Sequence, residues 1–545
     1  MSRLALFLAR RARSRMRAMM RGYARLKAQG RLGTVAAIRE ELTVTRVGDP
    51  AWLAAPALGL GGEVVERALR QALIIRHLPT ALPEALYRSA GTGVPVAFSL
   101  PYEWRQVLWR HGFEVAGGRC ALLWAGFAAM RWANGLRVLL KQVAACLSRH
   151  NELPPPPAQY AYFDGLTRDN LPGDGPDPGR DGVFGWYSRW TDRTRGLDAF
   201  VHSVKAPSRQ YAGWTVQHAQ SPLPLLGRGP TGRLLARGLW ESAVALAELT
   251  AGRWQRAVGL AETVRALHMA LAPPQALARD YLFHNSNWVW RPLWTHVAKE
   301  RGSRILFYFY STNIEKLQLP GVTSSIPYGW KAGSWPVMLA WDETQRNFLK
   351  RCVDADTELP IVGPVDFLSA GGRSFELAAE NGIAVFDVQP HRDVLYRRLG
   401  IDFEYYVPAV ANGFIRELTE AADGVDCTLV LKRKRDIGSH LHPYYSWQIE
   451  RSVKPPVWIE VPHATIALDL ILSCKAVICM PYTSAAVLAR HHGKPSVYYD
   501  ASRRIARGDP AAHGIPILQS PEELKEWILR VVAPREEEVI GSTRQ

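Results

Sequence analysis

Cysteine is scarce in this sequence and forms no pattern. The six cysteines (Cys120, Cys146, Cys352, Cys427, Cys474 and Cys479) include no C-x-x-C pair and no Cys/His spacing suited to zinc. That excludes a disulfide scaffold and a structural metal module, and it reads as free, buried thiols in a reducing compartment. Acidic residues are missing from the start of the chain, where none precedes Glu40. In the apolar segment Cys120–Cys146, the longest uncharged run is Cys120 to Met130. This is about half of the roughly 20 residues that a bilayer span requires, so the segment does not cross a membrane. No internal repeat of about 20 to 50 residues occurs. A clear D-x-D metal triad is absent as well; Asp354-Ala355-Asp356 has the spacing but lies in a surface-like stretch.

The chain has 545 residues, 47% of them hydrophobic, enough for two or three globular domains and incompatible with a disordered tail protein. Its formal charge is +17, and ten Arg or Lys lie between Arg3 and Arg31, leaving +7 for the remainder. At helical spacing Leu4, Leu8, Ala12, Met16, Met19, Tyr23 and Leu26 share one stripe, with Arg10, Arg13, Arg17 and Arg21 largely on the other side. Such a basic amphipathic helix suits an anionic membrane surface. An organellar transit peptide and a solvated helix share this composition. A secretory signal does not, because Leu4–Ala9 is too short an apolar core. No helix-turn-helix, zinc-finger or RNA-binding signature follows, so nucleic acid is not the expected partner. Arg131, Arg137 and Lys141, flanked by Trp124 and Trp132, fit either a helix lying in a membrane interface or one buried in a core.

Residues 1 to about 150 read as helical, and Pro154–Pro157 form a stiff linker. Short apolar runs then alternate with amphipathic helices: Tyr160–Phe163, Ala199–Val204, one long helical stretch Leu234–Met269, Tyr281–Phe283, Leu293–Glu300, Arg304–Tyr310, Pro336–Trp341, Thr344–Cys352 and Leu359–Val362. Gly371-Gly372 mark a second boundary. The last third predicts strands at Ile383–Val388, Cys427–Lys432, Val457–Val461, Ala476–Met480 and Ser496–Tyr499, the last as an edge, with helices between and after them. This alternation argues for parallel sheets covered by helices. Gly227–Gly232 mimics half a phosphate loop, but Arg233-Leu234 replaces the Lys-Ser/Thr that ATP binding needs.

The most informative segment is Ala476–Asp500, AVICMPYTSAAVLARHHGKPSVYYD. A strand stops at Met480, Pro481 forbids its continuation, and Thr483-Ser484 open a helix that their hydroxyls can cap. Unsatisfied N–H groups at such a strand-to-helix turn suit a phosphate. Upstream, Leu429–Arg435 (LVLKRKR) is a strand delivering Lys432 and Lys434 to one side and Arg433 and Arg435 to the other. One of these pairs can meet a phosphate group.

The strand order of the last third, the basic strand end, the P-Y-T-S turn and GKPSVYYD resemble the C-terminal domain of GT-B glycosyltransferases. More closely, the chain resembles the bacterial surface polysaccharide biosynthesis proteins named for a P-F-T-S motif, here Pro481-Tyr482-Thr483-Ser484 with Tyr in place of Phe. Val337–Phe367, with LAWDETQRNFLKR and LPIVGPVDF, is similar to the stretch where a first GT-B domain passes to the second. The resemblance covers roughly residues 156 to 530 and leaves the helical N-terminal region unexplained.

The resemblance implies an α/β fold of two Rossmann-like domains in the GT-B arrangement, preceded by a helical region. The expected divisions are 1–155 (helical, basic, membrane-proximal), 156–372 (acceptor domain), 373–532 (nucleotide-sugar domain) and 533–545 (tail). It implies a glycosyltransferase that needs no metal or cofactor, takes a nucleotide-sugar as substrate and extends a lipid-linked surface glycan. The expected location is cytoplasmic, peripheral to the inner membrane through residues 1–31. A polyol-phosphate transferase using a CDP-activated donor, or a catalytically silent subunit of a biosynthetic complex, fits the same shape. Donor contacts fall to Thr483, Ser484, Lys432, Lys434, His463, His391 and Tyr482. Asp164, closing the first strand in AYFDG, is the candidate base, with His284 in YLFHNSN beside it in rank. Glu460 and Asp469 read as structural.

Overall fold

A computed structural model describes residues 3–55, 58–148, 159–172, 182–190, 196–284, 289–312, 329–368, 381–391, 405, 407–433, 438 and 441–533. Side chains are described from residue 12. The N-terminal region is helical, with principal helices at Arg3–Ala28, Leu32–Val44, Gly62–His77, Ala81–Thr92, Tyr102–Arg110 and Gly117–Ser148. It has its own apolar core, which includes Met19, Tyr23, Leu42, Leu73, Leu86 and Trp104. Gln71 ties this region to the next by donating from Nε2 to the Ala332 carbonyl at 2.6 Å and accepting from the Arg291 N–H at 3.0 Å.

The first helix departs from the membrane-inserting role its stripe predicts. Met19, Tyr23 and Leu26 are buried, and the stripe from Met16 onward packs against the protein's own core. Helix Ala81–Thr92 crosses it so closely that a Cβ on Gly22 would lie 1.7 Å from the Tyr87 carbonyl oxygen, and one on Gly91 2.0 Å from that of Ala18. Arg13, Arg15, Arg17 and Arg21 remain exposed. Amphipathicity foretold that one face would be covered, and the cover is another helix.

The first sheet comprises β1 (Tyr160–Phe163), β2 (Ala199–His202), β3 (Arg209–Tyr211), β4 (Trp214–His218), β5 (Asp280–His284), β6 (Arg304–Tyr308) and β7 (Val337–Leu339). Its order is β3-β4-β2-β1-β5-β6-β7, parallel throughout except for the β3–β4 hairpin. That hairpin, which the apolar patterning did not indicate, turns through Ala212 (φ 47°) and Gly213 (φ 91°), the paired left-handed residues of a type I′ turn. The stretch read as one helix, Leu234–Met269, is two, Arg228–Thr250 and Gln255–Leu271, separated where Gly252 adopts φ 84°. Residues 359–362 form no strand; Val337 and Ala340 make isolated bridges to Glu358 and Ile361.

The second sheet comprises β8 (Gly382–Phe386), β9 (Thr428–Lys432), β10 (Trp458–Val461), β11 (Ala476–Cys479), β12 (Ser496–Tyr499) and β13 (Ile517–Leu518). It is wholly parallel, in the order β10-β9-β8-β11-β12-β13. β13 covers β12, which is therefore interior and not the edge its sequence suggested. β1, β2, β8 and β11 are buried at every residue, as their unbroken apolar runs require of a sheet covered on both faces. With β3 set aside, both sheets have the doubly wound order 3-2-1-4-5-6. The winding reverses between β1 and β5 in one sheet and between β8 and β11 in the other, and these two crevices frame the cleft.

Side-chain contacts that cross between the domains include Ser311–Ser484 at 3.4 Å, Asp366–His492 at 3.0 Å and Asp342–His513 at 2.7 Å. All six cysteines are free thiols, five of them buried. Among the described residues no helix is long and apolar enough to cross a membrane.

Because Gly91 meets backbone, which cannot rotate away, Gly91→Val is expected to destabilise the protein by at least about 2 kcal/mol. Urea denaturation followed by tryptophan fluorescence checks this, and an unchanged midpoint contradicts the crossing.

Candidate active site

The reversal between β8 and β11 opens onto a cavity of about 210 Å³ whose walls come from both domains. Tyr310, Trp341, Asp366 and Phe367 line it from the first domain, and Asp387, Lys432, Thr483 and Ser484 from the second. The last four follow or end β8, β9 and β11, three neighbouring parallel strands, so the sheet itself brings residues as far as 97 positions apart in the chain together at one rim.

Lys432 is the last residue of β9 and is 8% exposed. Burial lowers its ammonium pKa, with Asp387 opposing the shift. Its Nζ donates to the His463 carbonyl at 3.3 Å, and among the described residues two of its three donors remain for a ligand. The Thr483 main chain is satisfied, its N–H donating to Met480 and its carbonyl accepting from the Tyr498 hydroxyl. Its Oγ1 is buried with no hydrogen-bond partner among the described residues. A buried, unpaired hydroxyl costs about 1 to 3 kcal/mol, which a polar ligand recovers.

Asp387 is a site residue that the sequence reading missed. It directly follows β8, is 1% exposed and accepts from the Tyr445 hydroxyl on Oδ2, while Oδ1 has no partner. Burial pushes its pKa up to about 6, against the Tyr445 hydrogen bond and the Arg433 charge, which lower it. The available signal was a repeat: AYFD closes β1 and AVFD closes β8.

Asp164 and His284 meet at the other reversal. They line a cavity of about 220 Å³ together with Gly165, Phe283, Trp290, Pro292 and Trp335. Burial pushes the Asp164 carboxyl up to about 6. His284 lies 3.1 Å from the Gly165 carbonyl through Nε2, and burial lowers its pKa while that contact opposes the shift. The His284 ring packs 5.6 Å from Tyr310 and 5.1 Å from Phe367. Those two rings stack on each other at 4.8 Å and also line the cavity at β8 and β11. The two cavities thus adjoin across one aromatic pair.

Other expected positions lie elsewhere. Tyr482 faces away from the cleft: its hydroxyl donates to Asp509 and its ring packs on Tyr498. Neither Thr483 nor Ser484 caps the following helix through its side chain; that helix is Ala485–His491, and Ser484 instead approaches Ser311. The side chain of His463 is exposed and only its carbonyl reaches Lys432. His391 forms an antiparallel backbone bridge with Leu441 and does not line the cavity. Arg433 is engaged by Glu460, and Asp354 by Arg67. Lys434 lies outside the described residues. Among the described residues no group of three or more His, Cys, Asp or Glu side chains is placed to hold a metal ion.

Two doubly wound parallel sheets whose strand ends face one cleft define a GT-B-type α/β protein. Residues 242–528 match the model of the polysaccharide biosynthesis PFTS motif protein family, and the chain belongs to that family. No curated protein matches it. Solved structures similar to it include the wall teichoic acid polymerase TagF, at 12% identity over 73% of this chain and 90% of that one, with a TM-score of 0.34. The UDP-GlcNAc 2-epimerase from Methanocaldococcus jannaschii is similar at 9% identity over 69% and 92%, with a TM-score of 0.36.

Lys432→Ala removes a charged donor from the cavity without opening the strand. It is expected to weaken binding of a nucleoside diphosphate roughly 10- to 100-fold, read by isothermal calorimetry. Equal affinity in both proteins removes Lys432 from the site.

Proposed function

We propose that the chain is a glycosyltransferase of surface polysaccharide synthesis. It takes a sugar from a nucleotide-activated donor held by the second domain and transfers it to a growing, lipid-linked glycan held by the first, on the cytoplasmic side of the membrane. The observation that carries this reading is the cavity at β8/β11, where Lys432, Thr483 and Asp387 converge with hydrogen-bonding capacity unspent. Lys432 and Thr483 donate to the phosphate, and Asp387 accepts from a donor hydroxyl.

The reaction in this reading is a single displacement. Asp164 takes the proton of the acceptor hydroxyl as that oxygen bonds the anomeric carbon. The bond from that carbon to the donor phosphate oxygen breaks, and its electron pair leaves with the phosphate, where Lys432 and Thr483 stabilise it. A carboxyl near 6 is ionised at neutral pH yet basic enough to accept a proton. His284, kept neutral by burial, orients the acceptor beside it.

The test is incubation of the protein with UDP-, GDP-, CMP- and CDP-activated donors and a lipid-linked oligosaccharide, with products followed by mass. One sugar should be added per turnover. Addition of a polyol phosphate from the CDP donor overturns the sugar reading, and absence of nucleotide binding overturns both. Asp164→Asn should lower kcat about 10²- to 10⁴-fold with donor affinity unchanged. In the wild type, kcat/KM should fall tenfold per pH unit below about 6, the protonated carboxyl being inactive as a base. A profile flat from pH 5 to 8 excludes Asp164 as the base.

A further inference from the structure

The two helices Gly117–Ser148 and Arg228–Thr250 pack on each other and together on Gln255–Leu271. Leu139 of the first contacts Gly238 of the second, and Trp132 donates from Nε1 to the Ser242 carbonyl at 2.9 Å. Along one helix these contacts run from 139 to 132 while along the other they run from 238 to 242, so the pair is antiparallel. Gln255–Leu271 is covered along its length, which leaves the first two helices as the outer layer.

That outer layer is apolar where water meets it. Leu122 is 74% exposed, Leu140 52%, Leu147 60% and Trp240 69%, with Met130 and Leu246 also exposed. Leu122, Gly126, Ala129, Ala133, Arg137, Leu140, Ala144 and Leu147 recur at intervals of three and four. Seven of these eight residues carry no charge, and all are exposed over about seven helical turns. Water-facing helical surfaces ordinarily show the opposite pattern. Leu140 and Leu239 each follow the Leu139–Gly238 contact by one residue, about 100° around their helices and on the same side of the antiparallel pair, and both are exposed, which carries the patch from one helix to the other.

The charge on the same surface is of one sign. Arg119, Arg137, Lys141, Arg233 and Arg237 are exposed, and the helix Gly117–Ser148 contains no acidic residue. The two acidic residues of the partner helix, Glu241 and Glu248, are only part exposed and are both engaged by Arg256. An apolar surface set among unopposed basic side chains matches an anionic lipid interface, where the apolar groups enter the acyl boundary and the cations meet phosphate. A second copy of the chain would set these cations against one another, and a nucleic acid would leave the leucines uncovered.

We infer that the joint outer face of helices Gly117–Ser148 and Arg228–Thr250 is the surface by which the protein lies on an anionic membrane, in place of the apolar stripe of the first helix, which from Met16 onward packs against the protein's own core. The inference does not rest on the transferase reading, and its readout is binding.

The experiment is flotation of the full chain with vesicles of 30% phosphatidylglycerol in phosphatidylcholine, and with phosphatidylcholine alone. The wild type should float with the anionic vesicles and release as salt rises. Leu140→Glu/Leu239→Glu should lose at least tenfold in partitioning with an unchanged melting temperature. Arg137→Gln/Lys141→Gln, which alters no packed residue, should lose roughly ten- to thirtyfold on anionic vesicles only. Arg13→Gln/Arg17→Gln should lose less than either. Failure of the wild type to float, or undiminished flotation of both face variants, overturns the inference. So does a dimer, seen by sedimentation, that Leu140→Glu/Leu239→Glu dissociates, because the occupant is then a second copy.

Discussion

A parallel strand buried on both faces has nowhere to place a polar side chain except at its ends, and this constraint organises the protein. In both sheets the chain begins at the centre, winds outward, then returns to wind the other way. Helices leaving the two central strands diverge, and the crevice between them remains open. Polar residues that end or follow β1, β5, β8, β9 and β11 lie there: Asp164, His284, Asp387, Lys432 and Thr483. The site is a consequence of the winding as much as of the residues.

Both central strands end in an aspartate, and in both the carboxyl is pushed up to about 6 by burial. Their surroundings differ. Asp387 is anchored by Tyr445 and sits near the buried ammonium of Lys432. Asp164 has burial as its sole source of perturbation. One carboxyl is tied to a hydroxyl and a nearby cation, while the other is perturbed by burial alone. The same position in two copies of a fold thus has two different electrostatic settings, and the proposed reaction assigns the base to the second.

The architecture was largely legible because fully buried strands advertise themselves as short apolar runs between turn residues. The β3–β4 hairpin escaped because its strands are short and partly exposed, so they lack that signal. Strand β13 has only two residues. A residue's place in a cavity wall was legible where the backbone direction decides, as at Lys432 and Asp164. At Tyr482 the motif identified the turn but not which way an aromatic ring leaves it. His391 and His463 stand near strand ends, yet backbone pairing and solvent claim them. In the first helix, an apolar stripe stated that a partner exists without stating which.

The close crossing of the first helix by Ala81–Thr92 has a consequence for the charge it carries. Arginines on a helix that has already satisfied its apolar side form a rigid source of potential. At physiological salt that potential reaches about 8 Å before it decays, farther than the contact range of any leucine. A flexible basic tail would blur the same charge over many orientations. Fixed to a folded core, it gives the protein a positive pole with a definite direction, so any charged surface that approached would meet a torque before a contact.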